Sequence, residues 1–260
     1  MSRASYFANP KHFGVPDPLE VQQIKEALKQ YVKHDDSVLV LGATAELRSI
    51  ALELGCRVVS VDITIEMITA REKNVSVKDP TRDVTVRGNW LDLWFLPRHC
   101  FAAILADASF NNITRAQQDF LFNECAGLLR KGGALIFRQM YWYNEKPIQD
   151  VIQLYKKKKI SMREMMLCLF FHRDLPRACQ NNTVSVRESF KSILRILEKA
   201  KIEKALLDYI RGYKWDAPYL IAEQADFEER LQRKFRIAST FISKRLCHSR
   251  CAPIYLAVKR

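Results

Sequence analysis

Asp62 lies 20 positions beyond Gly42, and each residue closes a short, mainly aliphatic run, 38–41 and 57–61. A glycine at the end of a buried strand lets the backbone turn and come close to a ligand. A carboxylate closing the next strand can accept both hydroxyls of a ribose. The stretch 39–47, Leu-Val-Leu-Gly-Ala-Thr-Ala-Glu-Leu, also opens a helix. It lacks the Gly-Lys-Ser/Thr of a phosphate loop and the G-x-G-x-x-G of a dinucleotide fold. A turn with one glycine suits a single nucleoside better than a pyrophosphate.

Further polar residues follow two later apolar runs. Asp107, Ser109, Asn111 and Asn112 come after 101–105, and Arg138, Tyr141, Trp142 and Tyr143 come after 134–137. Parallel strands deliver their ends to one crevice, which makes Arg138 and Tyr141 candidate acceptor-binding or catalytic residues. An aromatic cluster at the sheet edge is the alternative. Asn111-Asn112 equally suits plain turn chemistry. His12 and His172 are the candidate general bases, although each also reads as an ordinary polar residue. Cys247-His248-x-x-Cys251 has no second ligand pair at zinc spacing, so no metal is expected.

The elements that must position these groups follow from periodicity. Leu19, Val21, Ile24, Ala27 and Leu28 mark an amphipathic helix behind Pro16-Asp17-Pro18. From 38 to 140, strands at 38–41, 57–61, 84–86, 101–105 and 134–137 alternate with helices at 46–54, 64–73 and 116–129. Lys131-Gly132-Gly133 stops the last of these helices. Such alternation implies a parallel, doubly wound sheet. From about 146 to 213 only helical periodicity shows, at 148–155, 162–171, 186–199 and 202–210, with a loop at 181–183. A helix at 225–234 and strands at 237–242 and 254–258 follow, and the two strands can pair antiparallel at the sheet edge.

This pattern resembles the class I S-adenosylmethionine-dependent methyltransferases. LGATAELR at 41–48 is similar to the LGATPELR variant of the first motif in some bacterial members. ADASFNN at 106–112 is similar to their fourth-strand GDGSFNN, and RKGGALIFR at 130–138 to the usual approach to the fifth strand. The resemblance implies a Rossmann-like fold with a mostly parallel seven-stranded sheet, an antiparallel last strand, and a helical insertion after the fifth strand. It implies S-adenosyl-L-methionine as cofactor. Gly42, Ala43 and Thr44 would lie against its methionine half, with Glu46 and Leu47 opening the helix beneath. Asp62 would hold the ribose. Ile63 and Met67 would flank the adenine, and Asn89 would meet its amine beside Trp90 and Leu91. Met67 and Trp90 could equally be core. Asp107, Ala108, Ser109, Asn111 and Asn112 would line the floor, and Asp107 would balance the methionine ammonium. Asn112, Arg138 and Tyr141 would meet the acceptor, under a lid containing Tyr6 and His12. Ala106 and Ala108 replace glycines of the pattern, so their methyls could crowd the donor.

The implied organisation is a lid and helix at 1–35, a nucleoside-binding core at 36–145, a helical substrate cap at 146–214, and the end of the core at 215–260. Charge divides along the chain. Residues 1–130 hold 15 Lys and Arg against 16 Asp and Glu, and residues 131–260 hold 27 against 13. That asymmetry, with the run 156–159, allows an anionic partner or simply solvated helix faces. The favoured reading is a methyltransferase for a small metabolite or natural-product precursor. Its rivals are an RNA or protein methyltransferase using the basic segment, and a non-catalytic partner protein. Seven scattered cysteines and an N-terminus without an apolar core fit a reduced cytoplasmic protein, and no run is long enough for a membrane span. Oligomeric state is open.

Overall fold

The computed structural model describes residues 14–214 and 216–260. Helix α1 (Pro18–Lys29) leads into β1 (Ser37–Leu41), α2 (Ala45–Glu53), β2 (Arg57–Asp62), α3 (Ile65–Glu72), β3 (Asp83–Arg87) and β4 (Phe101–Asp107). After a short 3-10 turn at Ser109–Asn112 come α4 (Arg115–Leu128) and β5 (Leu129–Arg138). Then follow α5 (Ile148–Lys156), α6 (Met162–Phe171), β6 (Cys179–Gln180), β7 (Thr183–Ser185), α7 (Val186–Lys199) and α8 (Lys204–Arg211). The chain ends with β8 (Pro218–Leu220), α9 (Gln224–Gln232), β9 (Phe235–Phe241) and β10 (Ile254–Lys259).

Seven strands form one sheet in the order β3-β2-β1-β4-β5-β10-β9. The first five are parallel, and β10 runs antiparallel to both β5 and β9. This is the seven-stranded arrangement expected from the sequence. Both faces of the sheet are covered, which is why β1 and β4 are almost continuously apolar. Leu39, Leu41, Ile104 and Phe137 pack on Phe122 of α4 and Phe227 of α9. Their neighbours Val38, Val40, Leu105 and Ile136 pack on Ile24 and Leu28 of α1 and Leu47 of α2. The same alternation turns Arg138 towards the α1 face.

Asp17 caps α1, and Glu20 completes a capping box by accepting the Asp17 N–H at 2.6 Å. Glu20 therefore has a fixed position before it meets any other group.

Two expectations need correction. The region 146–213 is not wholly helical, because β6 and β7 pair with β8 in a separate three-stranded sheet. Asn181 and Asn182 form its two-residue turn with φ of 50° and 60°, and Thr183 belongs to β7. Strands of two or three residues are too short to show alternation. Secondly, β5 starts at Leu129, so Lys131-Gly132-Gly133 lies inside the strand.

The third apolar cluster lies beyond the main sheet. Val151, Met165, Leu169, Phe170, Ile193 and Ile210 join α5 to α8 into one packed layer. Among the described residues no helix is long and apolar enough to cross a membrane.

Candidate active site

The order of the sheet reverses between β1 and β4, and their carboxyl ends part there. A cavity with about 980 Å³ of empty space, partly open to solvent, occupies this point together with the end of β2. A cleft at the reversal is where open α/β sheets take ligands.

Gly42 turns away from β1 with φ of +120°, a conformation a side chain would strain. A Cβ there would stand 3.6 Å from the Trp90 ring and 3.9 Å from Asp62 Oδ2. Trp90 donates from Nε1 to Val61 O at 2.6 Å, which fixes the indole beside the glycine turn. Asp62 Oδ2 accepts the Ala43 N–H at 3.1 Å, and Oδ1 accepts the Thr64 N–H at 3.1 Å. The ends of β1 and β2 are thus tied together by one carboxylate, which still reaches the cavity.

The floor is built at the end of β4. Ala108 is left-handed, with φ of 53°, and this bend carries Ser109 back so that its Oγ donates to Leu41 O at 2.7 Å. Asn112 Nδ2 donates to Ala108 O at 2.8 Å and holds the turn. Asn111 is fully buried: its Nδ2 donates to Met140 O and Leu220 O at 2.9 and 2.7 Å, and its Oδ1 accepts the Met140 N–H at 3.1 Å.

Behind the floor lies an ion network. Arg138, with no exposed surface, donates to Asp107 Oδ1, Glu20 Oε2 and Gly14 O, each at 2.7 Å. Arg163 and His248 approach the two oxygens of Glu20 at 3.2 and 3.3 Å. Burial pushes the Asp107 pKa up, and Arg138 offsets this only in part. Burial also opposes ionisation of Glu20, yet Arg138 and His248 hold its carboxyl well below the usual range.

Gly42, Ala43, Thr44, Asp62, Met67, Trp90, Asp107, Ala108, Ser109 and Asn112 all line the cavity. Other candidates stand elsewhere. Ile63 and Asn89 are exposed, and the Asn89 side chain accepts the Leu91 N–H at 3.0 Å within its own turn. Leu47 is core, Leu91 packs on the edge of the core, and Glu46 pairs with Arg71. Arg138 lies behind Asp107, not on the cavity. Tyr141 packs on Phe227 and Tyr255 and lines a different depression with Trp142 and Arg173. Asn112 and Tyr141 therefore do not face each other across one pocket. Ala106 is core, so its methyl is outside the cavity, whereas Ala108 lines it. Tyr6 and His12, with the lid they imply, lie outside the described residues. His172 is buried between backbone groups, with Nε2 facing Lys146 O at 2.8 Å and Nδ1 accepting the Asp174 N–H at 3.0 Å. Among the described residues no group of three His, Cys, Asp or Glu could hold a metal ion.

Sequence reasoning missed Arg71, which is 2% exposed yet lines the cavity one turn beyond Met67. An arginine on a helix normally reads as solvated, and only its i+4 spacing from Met67 signals otherwise. The aromatic residues of α6 and α7 were also missed as cavity walls.

Residues 39–137 match the methyltransferase domain family. The matched segment runs from within β1 almost to the end of β5 and so contains the glycine turn, Asp62 and the β4 floor. Solved structures share the overall fold. A Methanosarcina mazei protein described as a SAM-dependent methyltransferase aligns with a TM-score of 0.56 at 14% identity, covering 94% of this chain and 98% of that one. The N-methyltransferase NodS of Bradyrhizobium japonicum, in complex with S-adenosyl-L-homocysteine, aligns at 0.55 and 10% identity, covering 98% and 94%. A Rhodobacter sphaeroides protein described as a zinc-dependent alcohol dehydrogenase aligns at 0.59 and 15%, over all of both chains. At these identities the likeness is one of fold, the Rossmann-like methyltransferase fold. No curated protein sequence matches the chain.

Proposed function

We propose that the protein transfers a methyl group from S-adenosyl-L-methionine to a small molecule enclosed beneath helices α5–α8. The observation that carries this reading is the cavity at the β1/β4 reversal, bounded by Gly42 and Asp62 within the segment that matches the methyltransferase domain. The residues present fit the donor. Gly42 leaves its turn without a side chain, Asp62 brings a carboxylate to the ribose position, and the Trp90 ring and the Met67 thioether offer apolar contact for a base. When bound, S-adenosylmethionine supplies an electrophilic methyl group on a sulfonium.

This chain's own residues then bind, orient and exclude water. Asp62 accepts hydroxyl hydrogens while remaining anchored to the Ala43 and Thr64 amides. Asp107 presents a carboxylate whose charge Arg138 already shares, so it meets a donor ammonium without standing as a lone buried charge. Ser109 and Asn112 hold the floor in place. Leu167, Phe170, Phe171 and Phe190 keep water from the far side. In-line displacement gains most from such positioning.

Residues 156–159 stand apart from the cavity. They are exposed, and three of them border a depression that shares no residue with the cavity. Calorimetry with S-adenosylmethionine and S-adenosylhomocysteine tests the proposal. Micromolar binding, about −8 kcal/mol, is the expected result. Absence of binding by both would overturn it.

A further inference from the structure

The two halves of the cavity differ in chemistry. Its charged lining residues, Asp62, Arg71 and Asp107, all stand on the side of the sheet and α3. The opposite half is walled by Leu167, Phe170 and Phe171 of α6, Phe190 of α7, and Tyr213 and Tyr219. None of these six carries a charge at neutral pH. Their rings form a connected wall: Phe190 and Tyr213 lie 3.9 Å apart at centroids, Phe170 and Phe190 5.6 Å, and Phe171 and Tyr219 5.9 Å.

We infer that this half is the acceptor chamber, and that it takes an uncharged, ring-bearing molecule whose apolar body lies against the α6–α7 aromatics. The inference rests on the donor occupying the Gly42–Asp62 half. Several physical points lead to it. A charged acceptor body would lose its hydration against a wall that offers no counter-charge. A flat ring would gain area burial together with edge-to-face contacts, which aromatic pairs favour at centroid distances of about 4.5–7 Å. Among the described residues neither histidine nor lysine lines the cavity, so the described wall supplies no nitrogen base for an acceptor proton. A neutral amine fits this wall as the nucleophile, because it attacks the donor methyl through its lone pair. The N–C bond forms as the S–C bond breaks, the sulfur keeps the electron pair, and the resulting ammonium proton passes to water on release.

The closing experiment titrates indole into the intact protein by calorimetry, with and without saturating S-adenosylhomocysteine. The probes indole-3-acetate and phenyl phosphate run in parallel. Indole should bind with a submillimolar Kd, at least tenfold tighter than either anion. Phe190→Leu and the half-buried Tyr219→Leu should each weaken it at least fivefold, with S-adenosylhomocysteine affinity unchanged within twofold. Two mild variants are used so that one misfolded protein does not decide the outcome. The inference is overturned if indole fails to bind, if an anion binds as tightly, or if both variants bind indole as the parent does. Loss of S-adenosylhomocysteine binding with indole binding intact would instead overturn the donor assignment, and the acceptor role with it, while leaving the preference of this half for neutral rings.

Discussion

Arg138 Nε donates to Asp107 Oδ1 at 2.7 Å, which joins the ends of β4 and β5 directly behind the cavity floor. The guanidinium has no exposed surface and also serves Glu20 and Gly14. Replacing Arg138 with Leu would leave two buried carboxylates without their main partner. Loss of about 3–5 kcal/mol of stability is expected in urea unfolding. Arg250→Ala, which breaks an exposed pair with Glu145, should change stability by under about 1 kcal/mol.

Acid should expose the same network with a definite sign. Glu20 has a folded pKa below its ordinary 4.5, so its stabilisation is present above that value and is lost as pH falls below it. Asp107 is shifted upward, so its protonation favours the folded state as pH falls and partly cancels the loss. Thermal unfolding measured from pH 6 to pH 3 should show a falling midpoint. Glu20→Gln should flatten that fall, and Asp107→Asn should steepen it. The reverse pair of results would mean that the charge assignments are interchanged.

At the donor end, Asp62→Ala should weaken S-adenosylhomocysteine binding by about 2 kcal/mol, roughly 30-fold. Part of that loss will come from the freed Ala43 and Thr64 amides. Asp62→Asn retains an acceptor oxygen and should fall between the parent and the alanine variant in the same calorimetric assay.

Changing all four lysines at 156–159 to Gln should leave donor-product affinity unchanged within about twofold at both low and high salt. Their separation from the cavity is the reason. A flattened salt dependence of acceptor binding would point to a polyanionic substrate.

Cys247 lies 3.6 Å from both Cys168 Sγ and the Tyr143 hydroxyl, and hydrogen bonds from these two hold its thiol pKa below the usual value. Cys168 is buried and shifted upward. Iodoacetamide at neutral pH should therefore label Cys247 well before Cys168, as peptide mass spectrometry would record.

The sheet was legible because parallel strands buried on both faces must be apolar throughout, as 38–41 and 101–106 are. The turn at Gly42 was legible because a positive φ admits few residue types, and Asp62 because a carboxylate closing a buried apolar strand stands out from its run. Three things were not legible. Arg138 looked like an acceptor contact because its position was counted from the strand end, whereas the alternation of β5 turns it to Glu20. Asn89 looked like an adenine ligand, but a side-chain amide this close to the Leu91 N–H closes its own turn first. The aromatic wall was hidden because Phe170, Phe190 and Tyr219 are spread over nearly 50 positions, and periodicity shows only that each faces inward.

Asn111 binds the backbone on both sides of the α5–α8 layer, at Met140 before it and at Leu220 after it. The layer thus leaves and rejoins the sheet through one amide. For anyone exchanging that layer with one from another protein, 140 and 220 are the natural splice points. A graft must bring a main chain that returns to this amide at both ends, or it will arrive with a buried donor and acceptor left over.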